Sequence, residues 1–291
     1  MAQTGILQLL SGTVLISFSA VFVKIAHTGP TVSGFYRLFF GALFLFVLVL
    51  AKRDPLWKGI RALGWAVLAG VFFAADIFFW HRSILYIGPG LATIMGNFQV
   101  FFLTAIGLLV FKERVTWRFF VSIPLAFCGL FLLVGVRWSE LDAQYRLGVV
   151  YGVLTAVMYA AYLLTLRRSQ RDAVHLSPMS NLAVVSTVTA VLLAVVGYGE
   201  GDNFAIVDGQ TWFALIAYGV LCQALGWIIL TWGLTKIEAS RVGLLLLLQP
   251  TLTFIWDVLF FSRPTSATEA CGAVLALGAI YLGGVRRNRK G

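Results

Sequence analysis

Long apolar segments separated by short polar connections run through the whole chain. A helix that crosses a bilayer needs about 20 mostly apolar residues. Ten segments have that character: 5–25, 31–51, 62–82, 88–110, 116–136, 147–166, 176–198, 211–232, 240–261 and 268–285. They are too long for strands and lack the alternating pattern of a membrane β-barrel. The pattern therefore predicts an all-α integral membrane protein with ten transmembrane helices.

Composition narrows the class of protein further. Of 291 residues, 60% are hydrophobic and only 12% are charged, whereas a soluble domain carries roughly 25% charged residues. This excludes a soluble enzyme and a disordered protein. The net charge of +10 does not indicate nucleic-acid binding, because the basic residues lie between apolar segments and form no basic face. We expect a lipid bilayer as the surroundings and no nucleic acid as a partner.

The distribution of lysine and arginine predicts the orientation. With a cytoplasmic N-terminus, all but six of the 22 basic residues fall on the cytoplasmic side, as the positive-inside rule requires. The six exceptions are Lys24, Arg37, Arg82, Arg137, Arg146 and Arg263. No basic residue precedes the first apolar segment, so we interpret that segment as an uncleaved helix. The prediction is a multi-pass inner-membrane protein with both termini cytoplasmic.

The two halves of the sequence are weakly similar. An offset of 150 residues places Gln99 on Gln249 and Phe111 on Phe261, and a slightly smaller offset places Gly12 on Gly152. We therefore predict two five-helix repeats, over 1–140 and 141–291. An odd number of helices per repeat inverts the second copy. Inverted repeats are typical of secondary transporters, which bind substrate in a central cavity at their interface.

Several short motifs resemble those of the drug/metabolite transporter superfamily, EamA-type. They are the small-residue stretch from Ser17 to Lys24, Pro30 with Arg37, Phe111-Lys112-Glu113, and Gln249-Pro250. Val100 departs from the family's usual proline, and Arg263 from its usual glutamate. The resemblance implies ten helices in two halves and export of small metabolites. Within the superfamily the chain is most similar to the YddG-type amino-acid exporters.

Polar and aromatic residues recur along single faces of several predicted helices. A buried amide or carboxyl group is costly in hydrocarbon unless it faces protein or a wet cavity. The candidate substrate-binding residues are Ser17, Asp76, Phe79, Trp80, His81, Gln99, Tyr159, Tyr162, Gln223, Trp227 and Gln249.

Each candidate also has a structural interpretation. Hydroxyl groups can bond back to their own helix, and amides can join helices. Asp76 and Asp257 can pair with Arg37, Lys24 or Arg82 at the rim, and an isolated histidine is more often structural than functional. These alternatives stay open at the level of sequence.

Enzymatic and cofactor-dependent functions find no support in the sequence. There is no phosphate-binding G-x-x-x-x-G-K-[ST] motif and no H-E-x-x-H motif, and Cys128, Cys222 and Cys271 lack metal-ligand spacing. We expect no cofactor and no metal. The leading hypothesis is a secondary or facilitative exporter of small metabolites, amino acids including aromatic ones above all, working as a monomer by alternating access. The alternatives are a drug, nucleoside or nucleotide-sugar carrier of the same fold, and a channel or structural subunit.

Overall fold

A computed structural model describes residues 2–134, 143–262 and 264–284. Its helices are α1 (Ala2–Ser17), α2 (Ser19–Ile25), α3 (Pro30–Ala51), α4 (Ile60–Gly96), α5 (Gln99–Leu109), α6 (Trp117–Val134), α7 (Ala143–Arg171), α8 (Pro178–Glu200), α9 (Gly209–Ala217), α10 (Trp227–Leu234), α11 (Ala239–Leu246), α12 (Leu248–Phe261) and α13 (Ala267–Gly284). A π-helical segment, Tyr218–Gly226, joins α9 to α10.

The helices group into ten apolar spans across the described ranges, and the predicted ten-helix fold is confirmed. Eight are long and apolar enough to cross a membrane: Gln3–Ile25, Pro30–Ala51, Ile60–Ile87, Leu91–Leu109, Ala143–Arg171, Pro178–Glu200, Gly209–Leu234 and Ala239–Phe261. Two shorter apolar helices, Trp117–Leu132 and Ala267–Gly283, are the fifth and tenth spans in chain order. The predicted boundary between the halves at 140/141 lies outside the described residues, as do Trp138, Arg137, Arg263 and the basic C-terminal tail.

Local chemistry sets several helix boundaries. Pro30 and Pro178 occupy the first turns of α3 and α8, where the missing N–H is no loss and the fixed φ suits a helix. Ser177 caps α8 and Asp208 caps α9 by accepting hydrogen bonds from backbone N–H groups. After α8, Gly201 adopts φ +76°, a left-handed conformation that glycine reaches without strain.

Contacts between connections divide the bundle into two ends. At the end where the chain begins, called here the N-terminal end, Lys236 donates to Gln8 and Ser180 donates to Asp54. At the other, distal end, His27 pairs with Asp208. The first span therefore runs from the N-terminal end to the distal end. The sixth span runs the opposite way, because Gly148 contacts Ser83 near the distal end whereas Arg167 contacts the connection before α11.

The main contacts between halves follow a regular scheme. The first span packs on the eighth and the sixth packs on α4, while the second, fourth and fifth pack on the seventh, ninth and tenth. If each span is replaced by the span five places away in chain order, every pair of contacting spans becomes another pair of the same scheme. Gly12 and Gly152, aligned in the sequence, have matching roles: an added Cβ would lie 2.7 Å from Leu230 N in one case and 2.5 Å from Met95 Cβ in the other.

Candidate functional site

Side chains from the second, third, sixth and eighth spans converge inside the bundle. We call this group the central cluster: Arg37, Phe73, Asp76, Tyr159, Tyr162, Tyr218, Gln223 and Trp227. Asp76, Tyr162, Gln223 and Trp227 are all less than one-tenth exposed. The first two spans belong to one half of the chain and the other two belong to the second half. The central cluster therefore lies where the halves meet.

Aromatic rings form one wall of the central cluster. The ring of Phe73 stacks on Tyr162, with centroids 4.4 Å apart. Trp227 meets both rings edge-on, at 5.6 Å from Phe73 and 5.0 Å from Tyr162, and Tyr159 lies 6.5 Å from Trp227. Such edge-to-face and stacked geometries are favourable for rings and hold the wall in a defined shape.

Arg37 forms the cationic part of the central cluster. Its Nε donates to Gln223 Oε1 at 2.9 Å and its Nη1 donates to Tyr218 Oη at 3.1 Å. Gln223 in turn donates through Nε2 to Ser186 Oγ at 3.0 Å. The guanidinium also lies over the Tyr218 ring, 4.9 Å from its centroid. A guanidinium has five N–H donors, so Arg37 keeps donors for a further acceptor.

Asp76 supplies the carboxyl group of the central cluster. Within the described chain its carboxylate accepts no hydrogen bond and forms no ion pair, although it is 9% exposed and is attracted electrostatically by Arg37. Tyr162 Oη and Trp227 Nε1 are also buried without a hydrogen-bond partner among these residues. Buried polar groups are nearly always satisfied, so these unused groups make the central cluster the candidate site.

The π-helical segment carries two members of the central cluster and ends beside a third. Tyr218 and Gln223 lie within it, and Trp227 follows it directly. π-helical turns are rare and are often found at functional sites. Their wider turn sets Tyr218 and Gln223 both toward Arg37, as the two hydrogen bonds show.

The remaining predicted site residues lie apart from the central cluster or beside it. Ser17, buried at the junction of α1 and α2, accepts from Trp256 Nε1 at 2.8 Å. Gln99 donates to the Gly243 carbonyl at 3.3 Å, joining the fourth and ninth spans. Gln249 is half-buried on α12. Ser17 and Gln99 therefore make interhelical contacts.

Three neighbours on α4 make aromatic contacts near the distal end. Phe79 stacks on Tyr151 at 6.1 Å, and the rings of Trp80 and His81 are 5.4 Å apart. His81 is buried against Gly34, where an added Cβ would lie 3.1 Å from the ring carbon Cε1.

Some structural interpretations of the sequence are confirmed. Lys24 Nζ pairs with Asp257 at 2.6 Å, so Asp257 is partnered at the rim. Thr13 and Thr155 donate to the carbonyls of Leu9 and Tyr151 in their own helices. Sequence reasoning placed Arg37 at the rim and did not name Phe73 or Tyr218. The one available signal for Arg37 was its position as a cation within an apolar span. From the sequence, Arg37 was interpreted as an ion-pair partner of Asp76.

A second buried charged group, the Glu113 clasp, lies at the N-terminal end. Glu113 accepts from the N–H groups of Ala239 and Ser240 at 2.8 and 3.1 Å and from the Ser240 hydroxyl at 2.8 Å. Arg167 Nη1 lies 3.5 Å from the same carboxylate. Burial by itself would raise the pKa of Glu113, but these hydrogen bonds and Arg167 outweigh it and hold the pKa below its usual value.

The described residues contain no group of three or more histidine, cysteine or acidic side chains that could hold a metal ion. Cys128, Cys222 and Cys271 are free thiols. The central cluster combines a guanidinium, a carboxyl group and an aromatic wall.

Comparisons with known proteins show the family. The EamA-like transporter family matches residues 3–135 and again residues 146–284, and the chain belongs to this family of membrane transporters. An uncharacterized transporter of Haemophilus influenzae is 24% identical over 85% of this chain and 81% of its own length. A probable amino-acid metabolite efflux pump of Salmonella typhimurium is 24% identical, covering 92% and 89%.

Two further similarities are more distant. A biotin transporter of Escherichia coli strain K12 is 21% identical over 83% of this chain and 79% of its own. A solved crystal structure at 18% identity matches with a TM-score of 0.81, over 97% of this chain and 96% of that one, which shows a shared fold.

Proposed function

We propose that this transporter exports small zwitterionic metabolites, amino acids above all, by alternating access of two inverted halves around the central cluster. The observation that carries the proposal is the pair formed by Arg37 and Asp76. The guanidinium of Arg37 and the carboxyl group of Asp76 are both held inside the bundle, and no ion pair joins them in the described chain. A ligand that bears a carboxylate and an ammonium group supplies a counter-charge for each.

The geometry suggests how such a ligand would bind. Its carboxylate would accept from the unused donors of Arg37, since arginine–carboxylate hydrogen bonds are strong and directional. Its ammonium group would lie by Asp76, where the half-buried ring of Tyr159 can contact a cation. An aromatic side chain would rest against Phe73, Tyr162 and Trp227, which explains the expectation that aromatic amino acids are included.

The opposed directions of the first and sixth spans support the inverted arrangement. The scheme of contacts between halves is symmetric in the same sense, because the first and sixth spans each pack on the other half. Substrate sites of inverted-repeat transporters lie between the repeats, and the central cluster draws on both halves. The resemblance to an amino-acid metabolite efflux pump supports the same class of substrate.

A matched set of three compounds tests the proposal in proteoliposomes. Phenylalanine carries both charges, phenylpropionate lacks the ammonium group, and phenethylamine lacks the carboxylate. We expect saturable counter-flow of phenylalanine and weaker transport of both analogues, by about tenfold for one lost charged hydrogen bond. A channel would show no counter-flow.

Two variants assign the charges. Arg37→Gln should reduce phenylalanine transport and spare phenethylamine relative to it, whereas Asp76→Asn should spare phenylpropionate. Lys58→Gln, an exposed change outside the spans, is the control and should behave as the wild type. Equal transport of all three compounds, or unaltered relative rates in both folded variants, would contradict the zwitterion assignment.

The orientation needs a separate experiment. We propose that both termini face the cytoplasm in the inner membrane, because the basic connections gather at the N-terminal end. Val174 and Val207 are exposed on connections at opposite ends. A single cysteine at Val174 should be protected from a membrane-impermeant thiol reagent in intact cells, and one at Val207 should react. The reverse labelling pattern would overturn the orientation.

A further inference from the structure

A cavity of about 160 Å³ opens at the N-terminal end of the bundle, apart from the central cluster. The first span, the end of α7 and the connection between α10 and α11 form its wall. Its charged lining residues are Arg167, Arg171, Lys236, Arg241 and Glu238. Four of these are cations and one is an anion. The cavity therefore carries an excess of positive charge.

Two of these cations donate hydrogen bonds to neutral groups, which do not cancel their positive charge. Arg171 Nη2 donates to the Thr235 carbonyl at 2.6 Å, and Lys236 Nζ donates to Gln8 Oε1 at 2.7 Å. Carbonyl and amide oxygens carry no net charge. Because a guanidinium has five donors and an ammonium group has three, both side chains retain donors for an anion.

The other two cations are matched by carboxylates. Arg241 Nε lies 2.8 Å from Glu238, and Arg167 lies beside Glu113 in the clasp. Arg167 is only 6% exposed, and its Nε has no hydrogen-bond partner among the described residues. Arg171 and Lys236 thus remain uncompensated next to a buried arginine with an unused donor.

An apolar layer separates this cavity from the central cluster. Arg167 follows Tyr162 by five residues on α7, a rise of about 7.5 Å. The intervening leucines of α7 and α10 are at most 1% exposed: Leu163, Leu166, Leu230 and Leu234. The cavity is therefore a distinct site, closed off from the central cluster.

We propose that this cavity binds an oxyanion of the phosphate class, carried either by a soluble phosphate compound or by the headgroup of an anionic phospholipid. A phosphate group can neutralise two cations at once and offers several acceptor oxygens to the arginine donors. A volume of about 160 Å³ is ample for such a group, since a single water needs only ~10–15 Å³. Basic pockets between membrane helices are known to receive phosphorylated headgroups.

The experiment measures binding to the purified full chain, independent of transport. Inorganic phosphate is titrated in neutral detergent, with melting temperature and heat of binding as readouts. In parallel, nanodiscs of phosphatidylcholine with or without phosphatidylglycerol are compared, and lipid retained after extraction is identified by native mass spectrometry. Chloride at the same ionic strength controls for screening.

The double variant Arg171→Gln, Lys236→Gln removes the two uncompensated cations, both of which are exposed. We expect it to weaken binding of phosphate or phosphatidylglycerol by about tenfold or more. Arg168→Gln is the control for the loss of a surface cation: it removes one positive charge three residues from Arg171, is exposed and does not line the cavity. Its binding should equal that of the wild type.

The outcomes separate cleanly. Saturable phosphate binding lost in the double variant supports a soluble ligand, and retention of phosphatidylglycerol alone supports a lipid headgroup. The proposal is overturned if neither probe binds the wild type, or if the double variant and Arg168→Gln bind alike. Failure of the amino-acid assay would leave this result unaffected, because no transport is measured.

Discussion

Glu113 and Asp76 are both carboxylates in a largely apolar bundle, yet their surroundings differ. The Glu113 side chain is 7% exposed and is met by two backbone N–H groups, a hydroxyl and Arg167. Asp76 is 9% exposed and accepts no hydrogen bond from the described chain. The oxygen atoms of Glu113 accept hydrogen bonds from their neighbours, whereas Asp76 forms neither a hydrogen bond nor an ion pair with Arg37.

The difference separates a structural charge from a binding charge. A buried charge with a complete set of partners joins elements: Glu113 ties the connection after α5 to the start of α11 and to α7. A buried charge without partners is costly in the empty protein, and that cost is recovered only when a ligand supplies the missing group. The predictions below test this distinction.

The largest expected effect is on the stability of the Glu113 clasp. Glu113→Ala leaves Arg167 buried without its carboxylate and uncaps α11, so we expect a loss of about 3 kcal/mol or more in the free energy of unfolding. Glu113→Gln keeps one acceptor and should lose less. Thermal unfolding in detergent, followed by size-exclusion chromatography, measures both.

Glu200→Ala is the matched control for the clasp. Glu200 pairs with Arg82 at the distal end but is 40% exposed, and exposed ion pairs contribute under about 1 kcal/mol. Equal losses in the Glu113 and Glu200 variants would remove the distinction between a buried, satisfied carboxylate and an exposed one.

The next prediction concerns two tyrosine hydroxyls. Tyr162 Oη is buried without a partner in the described chain, whereas Tyr36 Oη donates to the Phe204 carbonyl at 2.7 Å. Tyr162→Phe should leave the free energy of unfolding unchanged or raise it, and should lower transport by roughly three- to tenfold if a substrate uses the hydroxyl. Tyr36→Phe should do the reverse, losing about 1 kcal/mol of stability with transport intact.

Melting temperatures and initial transport rates of both variants test this prediction. If Tyr162→Phe transports at the wild-type rate, the unused hydroxyl has no part in substrate binding.

The smallest effect is expected at Asp208, a carboxylate that has partners but lies near water. The hydrogen bond from His27, followed by that from the Thr211 N–H, lowers the pKa of Asp208 to about 2. A lowered pKa means that the ionised form stabilises the fold. This contribution is present above pH 4 and is lost as the pH falls from about 4 towards about 2.

Asp208→Asn should therefore lose less stability than the wild type over that acid window. Asparagine is also a good N-cap, so α9 should still begin at the same residue. Melting temperatures measured from pH 6 to pH 2 provide the check, and parallel pH profiles for the two proteins would contradict the assignment.

The fold was predictable because its main determinant is local. Apolar runs long enough to span a bilayer are visible residue by residue, and the ten predicted segments coincide with the ten spans to within a few residues at most boundaries. The third span continues to Ile87 and the sixth to Arg171, beyond the predicted ends. Helix can continue through polar residues once they reach the edge of the apolar region, which hydropathy does not reveal.

The central cluster was less predictable because its arrangement is tertiary. Tyr159, Tyr162, Gln223 and Trp227 were named from polar and aromatic faces, and the structure brings them together with Asp76. A phenylalanine in an apolar span is unremarkable in sequence, so the stacking of Phe73 on Tyr162 could not be anticipated. The partners of a buried amide are also tertiary: Gln99 donates to the Gly243 carbonyl, whereas Gln223 accepts from Arg37 and donates to Ser186.

The π-helical segment gives the eighth span a property that the third span lacks. Its turns are closed by hydrogen bonds to the fifth residue, whereas an α-helix uses the fourth, and the same backbone groups can satisfy either register. A change between the two registers would turn Trp227 relative to Tyr218 without leaving a backbone group unbonded in lipid. The third span is α-helical through Phe73 and Asp76. The aromatic wall therefore joins an α-helical side to a π-helical side, and the π-helical segment holds the glutamine that contacts Arg37.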